Sequence, residues 1–254
     1  MIYLKTYFYR EFEFEYILAN LKETFNYIDK FIVTEFNCHH TGRKRNFLNE
    51  NVLDTIPSEL KSKIDYHKCD ILKYTVETDN EDLIHQKNEP VMRSYFTKLY
   101  NFKDDDIIIS VDADEILYNE KMDYLLEMTK QHGIVQCKMR QFFFKKNYLW
   151  KNKVWTSPIS TLYKNINPKF PNNWRDVGRS INEFVGAHMS WCMSPEDMIF
   201  KLHTYSHPRF RKYADLNVLQ KAIENKEYIF DSKTNFEIEE LKNNSELIPM
   251  SMRK

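Results

Sequence analysis

Glycine is scarce in this chain, with only four in 254 positions. No Gly-x-Gly-x-x-Gly fingerprint and no Walker loop can be assembled from them, which excludes phosphate binding by a glycine-rich backbone cradle. Net charge of one sign is also missing: Lys+Arg and Asp+Glu both number 37. A chain so balanced lacks the basic excess of a broad nucleic-acid surface, so no nucleic-acid partner is expected. The four cysteines, Cys38, Cys69, Cys137 and Cys192, are scattered with no Cys-x-x-Cys pair. That argues against a zinc ribbon or a thioredoxin-type motif and fits a reduced, intracellular protein. No apolar run approaches the ~18 residues of a membrane span. The opening MIYLKTYFYREF is broken by Lys5, Arg10 and Glu11, unlike the uncharged core of a signal peptide.

What is present is a strand-like core ending in acid. Ile107, Ile108, Ile109 and Val111 form a short apolar run without polar alternation, as expected of a strand buried on both faces. It stops at Asp112-Ala113-Asp114-Glu115. Ligands of open α/β sheets sit beyond the carboxyl ends of strands. Carboxylates crowded there repel one another unless a cation lies among them. Hard oxygen ligands suit Mg²⁺ or Mn²⁺, which also bind substrate phosphates. An Asp-x-Asp site for a metal-bound diphosphate is therefore expected, against the plainer reading of a solvated acidic turn.

The flanking pattern is that of one α/β domain. Ile2–Tyr9 reads as a strand, Glu11–Phe25 as an amphipathic helix and Asp29–Glu35 as a second strand, a βαβ unit. Glu35 thus stands at another strand's carboxyl end. Thr41–Arg45 reads as a basic loop, Ile64–Cys69 as a third strand, and Pro90–Phe102 as a helix carrying Arg93 with Val91, Tyr95, Leu99 and Phe102 inward. A helix over Glu120–Gln131 and one strand over Ile134–Met139 follow. Phe142 to Tyr163 is aromatic and β-like, either core or a sugar-stacking platform. Lys164–Gly178 reads as a loop, Phe184–Ala187 as a short strand. Ser194-Pro195-Glu196-Asp197 is a helix start, with a Ser cap, Pro at the first position and acids in the first turn. A last helix covers Tyr213–Asn225, and the polar tail after Lys233 is expected to be loosely held.

Four stretches give the chain a family likeness: YFYREFEFEYILANL, DKFIVTEFNCHHTGR, DDIIISVDADEI and GAHMSWCMSPEDMIFKLHTYSH. Together they resemble glycosyltransferase family seventeen, the bisecting N-acetylglucosaminyltransferases. The last stretch matches best, at Gly186, His188, Ser190, Trp191, Cys192, Pro195, Glu196, Phe200, Lys201 and Leu202. The family usually carries Trp where this chain has Ala187, a departure expected to reshape a donor or acceptor pocket.

The resemblance implies a single GT-A-type α/β domain around a mixed, mostly parallel sheet flanked by helices. A nucleotide-sugar half would span 1–118, an acceptor half 119–233, and a polar tail 234–254. It implies an inverting enzyme that uses UDP-N-acetylglucosamine, a divalent metal (Mn²⁺ or Mg²⁺) and a glycan or other hydroxyl acceptor. Asp114 would ligate the metal directly, and Asp112 would bind ribose or the metal through water. Glu35, Arg93 and Ala113 would lie on the donor side, and Trp155 and Trp191 on the acceptor side. His188, with His207 beside it, would complete the metal shell. The general base would be a carboxylate: Glu196, in a capped first turn within the best-matching stretch, with Glu183 as runner-up and Asp176 and Asp197 less favoured. Eukaryotic members are anchored in the Golgi. This chain shows no comparable anchor, so a cytoplasmic location is expected, and its wealth of Asn, Lys and Ile suggests an AT-rich bacterial or viral genome. Two rivals share the features: a haloacid-dehalogenase-like phosphohydrolase, which places Thr or Val where Ile116 stands, and an inactive sugar-binding relative.

Overall fold

A computed structural model of the chain describes residues 1–8, 10–47, 51–70, 81–166, 178–205 and 207–253. Asp176 and most of the expected loop 164–178 lie outside the described residues. The opening is the expected βαβ unit: β1 (Ile2–Phe8), α1 (Phe14–Thr24) and β2 (Lys30–Phe36). α1 buries Ile17 and Leu21 beside Leu4 and Phe31, because residues four apart share one helix face. Two single turns, α2 (Asn51–Asp54) and α3 (Ser58–Lys61), lead to β3 (Ile64–Cys69). Then come α4 (Glu81–Ser94), β4 (Ile107–Ser110), β5 (Glu115–Leu117), α5 (Met122–His132), β6 (Ile134–Gln136), β7 (Met139–Phe143), β8 (Tyr148–Trp155) and β9 (Ile159–Leu162). The described chain ends with β10 (Arg179–Ser180), β11 (Gly186–Ser190), α6 (Pro195–Thr204), α7 (Leu216–Asn225) and β12 (Ile238–Glu240).

The strands form a seven-stranded sheet, β10-β6-β9-β4-β1-β2-β3, and a five-stranded sheet, β12-β8-β7-β11-β5. In the first, β3, β2, β1 and β4 run parallel, and β9 lies antiparallel between β4 and β6. It is the mixed, mostly parallel α/β sheet expected. All of β4 is buried, as its unalternating Ile-Ile-Ile-Ser requires. β4 and β5 are joined by Val111–Asp114 alone, yet they belong to different sheets. The acidic motif therefore straddles the junction of the two sheets.

Three expectations are corrected. The helix carrying Arg93 begins at Glu81, not Pro90, and runs through that proline. Pro90 gives up one helical hydrogen bond, but Met92, Phe96 and Asn88 are buried and hold the segment on either side. The inward face falls on Met92 and Phe96, while Val91, Tyr95, Leu99 and Phe102 are partly buried at its edge. The single strand expected over Ile134–Met139 is two, β6 in one sheet and β7 in the other, parted at Cys137, whose N–H donates to Pro158 O at 2.7 Å. The C-terminal stretch is packed rather than loose. β12 pairs with β8, Ile248 is buried, and the Tyr118 hydroxyl donates to Leu247 O at 2.6 Å. Its polar residues face outward while Leu241 and Ile248 join the core around Tyr16 and Phe142. The aromatic region is mainly core: Phe142 is fully buried, and Phe143, Trp150, Trp191 and Phe230 pack with Leu202 and Leu219.

Candidate active site

The site begins where β4 runs out of apolar residues. Val111 N–H still donates to Lys5 O of β1 at 3.2 Å, and the chain then turns at Asp112. The turn closes with Glu115 N–H donating to Asp112 O at 3.0 Å. The fully buried Glu115 carboxylate accepts from the Asp112 N–H and from Trp155 Nε1 at 2.6 Å. Glu115 thus braces the turn, which leaves Asp112 and Asp114 to face the cleft.

Asp112 is gripped by Arg93 in a two-pronged pair, Nη1–Oδ1 at 2.7 Å and Nη2–Oδ2 at 3.2 Å. Such fork-to-fork geometry fixes orientation as well as charge. Arg93 also donates to Glu89 at 2.7 and 3.1 Å and lies over the Tyr7 ring. Burial disfavours the Arg93 cation, but Asp112, Tyr7 and Glu89 outweigh it and raise its pKa.

Asp114 has two neighbours. Lys201 Nζ, from α6, lies 3.0 Å from Oδ2, and His188 Nε2, from β11, lies 3.6 Å from Oδ1. Burial would raise the Asp114 carboxyl, but Lys201 and His188 hold it below the usual carboxylate range. His188 stands in register with Gln141 of β7 and Glu115 of β5. Its Nδ1 is 2.9 Å from Gln141 Oε1, while Gln141 Nε2 donates to Phe142 O at 3.1 Å. The second bond settles which way the amide points, so His188 Nδ1 carries the proton. His188's share in the lowering of Asp114 is the work of the protonated imidazole; with Nδ1 held by Gln141, a cation that displaces the proton on Nε2 would find that nitrogen and a carboxylate oxygen facing one another. The Trp155 ring lies 4.4 Å away, tilted by 32°, and packs against the imidazole.

A cleft of about 630 Å³ opens above these groups. Tyr7, His40, Glu89, Arg93, Asp112 and Ala113 line one half, and Trp150, Trp191, Tyr205, His207, Tyr228 and Phe230 line the other. The structure thus brings together Arg93, Asp112, Ala113, Asp114, His188, Trp155, Trp191 and His207. The roles of Lys201, Gln141 and the bracing Glu115 do not follow from sequence. Lys201 lies within the best-matching stretch, whereas Gln141 carries no sequence signal.

Other expected residues sit elsewhere. Glu35 is fully buried, paired with Arg45 at 2.7 Å and bonded by the Tyr66 hydroxyl, and it does not line the cleft. The expected basic loop is a compact turn around it: Cys38 bridges Lys44, and Thr41 is buried. Neither Glu196 nor Glu183 reaches the cleft. Glu196 is exposed in the first turn of α6, and Glu183 is exposed and paired with Lys121 at 2.6 Å. His207 lines the cleft beside Tyr205 and Phe210. Ala187 alternates with His188 along β11, so it points into the core beside Ile116 and Phe142 rather than into a pocket.

Among the described residues, no group of three or more His, Cys, Asp or Glu side chains is clustered tightly enough to hold a metal alone. Asp114 and His188 converge as a pair, which fits a cation whose remaining ligands come from elsewhere. Magnesium-type sites do this, using one or two carboxylates plus substrate phosphates.

No curated protein sequence matches the chain significantly. Among solved structures, TarS 1–349 of S. aureus is 10% identical, with 86% of this chain and 70% of that chain covered at a TM-score of 0.42. The galactosyltransferase LgtC, in complex with donor and acceptor sugar analogs, is 7% identical over 70% of this chain and 66% of that one, at a TM-score of 0.37. A 4-diphosphocytidyl-2C-methyl-D-erythritol synthase is 9% identical over 79% of this chain and 95% of that one, at 0.41. The family model of glycosyltransferase family 17 matches residues 7–252, nearly the whole chain, and the protein belongs to that family.

Proposed function

We propose that the protein is a divalent-metal-dependent, inverting glycosyltransferase that moves a sugar from a UDP-sugar to a hydroxyl of a glycan or glycoconjugate. N-acetylglucosamine is the sugar, by the likeness to the bisecting enzymes. The observation that carries the reading is the meeting of Asp112, Asp114 and His188 on the floor of one cleft. Asp114 and His188 would hold Mn²⁺ or Mg²⁺, whose charge stabilises a departing diphosphate. Arg93, bonded to both oxygens of Asp112, would hold that carboxylate in place for the donor's ribose. Gln141 holds His188 in the ligating tautomer. Trp150, Trp191, Tyr228 and Phe230, core residues that also line the cleft, would give a bound sugar an apolar wall.

The acceptor hydroxyl must lose a proton as it attacks the anomeric carbon from the face opposite the diphosphate. Glu196 and Glu183 lie off the cleft, and Glu13 is bonded through both oxygens to Arg10, at 2.5 and 3.2 Å. His207, in the acceptor half, is the described group we assign as base.

Membership of a glycosyltransferase family argues against the phosphohydrolase alternative. The test is UDP release from a panel of UDP-sugars with Mn²⁺, compared between wild type and Asp114→Ala. Wild type should release UDP and turn over fastest with UDP-N-acetylglucosamine, and Asp114→Ala should lose both turnover and Mn²⁺-dependent UDP binding while remaining folded. Phosphate release from a simple phosphomonoester would restore the phosphohydrolase. Tight UDP binding without any turnover would identify an inactive sugar-binding relative.

A further inference from the structure

We propose that Lys201 is a reserve cation for the donor's diphosphate: it is held on Asp114 in the free protein and passes to phosphate oxygens when a divalent metal takes that carboxylate. The proposal rests on the nucleotide-sugar reading above and deepens it. Lys201 lines the cleft with its side chain only 11% exposed, its Nζ 3.0 Å from Asp114 Oδ2 and 5.1 Å from the centre of the Trp191 ring.

Two of the other cations that line the cleft are committed, and the third, Lys153, is exposed on β8. Arg93 is shared between Asp112 and Glu89 through both prongs, and Arg10 is held by Glu13 and by Thr204 Oγ1. Lys201 has one described carboxylate contact and an aromatic face. Its helix is fixed: Ser194 caps α6, Met198 and Leu202 are fully buried, and Arg10 Nε donates to Thr204 in the last turn at 3.3 Å. The lysine's flexible four-carbon stem is the part that can move.

A divalent cation on Asp114 weakens this pairing in two ways. It draws off the carboxylate's charge, and it repels the ammonium at close range. An ammonium this buried cannot stay without a counter-charge. The anion that arrives beside the same metal is the donor's diphosphate. Lys201 should therefore compete with metal in the free protein and cooperate with it once a nucleotide is bound. Because linkage is reciprocal, both effects appear in metal binding alone, without any turnover.

Mn²⁺ is titrated into wild type, Lys201→Met and Lys201→Gln, each with and without saturating UDP, by calorimetry and by Mn²⁺ electron paramagnetic resonance. Without UDP, both neutral variants should bind Mn²⁺ about tenfold more tightly than wild type. The strengthening of Mn²⁺ binding by UDP should be roughly 5–150-fold in wild type, the usual span of such coupling, and should shrink toward unity in the variants. Lys201→Arg, which keeps charge and reach, should stay close to wild type. Equal Mn²⁺ affinities without UDP, or an undiminished effect of UDP in a folded neutral variant, would overturn the proposal. A wild-type protein that binds neither Mn²⁺ nor UDP would overturn the nucleotide-sugar reading itself, and the proposal with it.

Discussion

Single side chains at this site take their chemistry from what holds them. His188 is useful because Gln141 fixes its proton on Nδ1 and Trp155 packs against the ring. Gln141→Leu removes the acceptor and frees the ring to exchange tautomers. Mn²⁺ affinity in the presence of UDP should fall by about 10–100-fold, the usual cost of losing an outer-shell partner. Gln141→Glu, which keeps an acceptor on the ring, should retain most of it. An Mn²⁺ titration of Gln141→Leu that overlays wild type would show that the ring is held by other means. The same dependence on neighbours decides what is legible from sequence. Glu35 and Asp114 both stand at the carboxyl ends of buried strands, and the pattern treats them alike. They differ because Arg45, ten residues further on, folds back and neutralises Glu35, whereas the cations on Asp114 come from α6 and β11. Glu196 looks suited to proton transfer because its helix start is well capped, but a cap says nothing about which way the first turn faces. Here it faces outward.

At the scale of elements, legibility follows local codes. β1, β2, β4, α1 and α6 are readable because apolar spacing and the Ser194-Pro195 cap are properties of the segment itself. The split between β6 and β7 is not, because an apolar run carries no label for the sheet it joins. The start of α4 is hidden by Pro90, whose cost is absorbed by packing on either side. Close approach between strands is equally hidden. β11 lies so near β5 that a Cβ on Gly186 would fall 2.4 Å from Ile116 O and 2.9 Å from Met139 Cε. Met139 Cε is the end of a flexible side chain and can give way, but Ile116 O is backbone held in the β5–β11 pairing and cannot. Gly186→Ala should therefore destabilise by about 1–3 kcal/mol, the range for overpacked cores. That corresponds to a melting temperature several degrees lower in a chain of this size. His188 lies two residues along the same strand, so the variant should also bind Mn²⁺ with UDP more weakly. An unchanged melting temperature would mean that β5 and β11 separate without strain.

For the molecule as a whole, the cleft exists because two sheets meet at one turn. β4 brings Asp112 from the seven-stranded sheet, β11 brings His188 from the five-stranded one, and α6 closes the angle with Lys201. Besides Lys201 and Asp114, two further contacts join the first 118 residues to α6: Arg10 bonds Thr204, and His39 meets the Phe200 ring edge-on at 5.9 Å. His39 is the pH-sensitive member. Burial, then the nearby Arg10, Arg45 and Arg43, lower its pKa from 6.5 to about 4. The unfolded chain therefore takes up this proton first as pH falls. The neutral imidazole's contribution is intact above about pH 6.5 and is lost progressively toward pH 4, below which the folded protein is protonated too. With solvent screening the loss should amount to about 1–2 kcal/mol. Urea unfolding of wild type and His39→Gln at a series of pH values measures it: the glutamine variant, which has nothing to titrate there, should show a flatter stability profile between pH 6.5 and 4. Should the two profiles run parallel across that interval, the acid sensitivity would belong to groups other than His39.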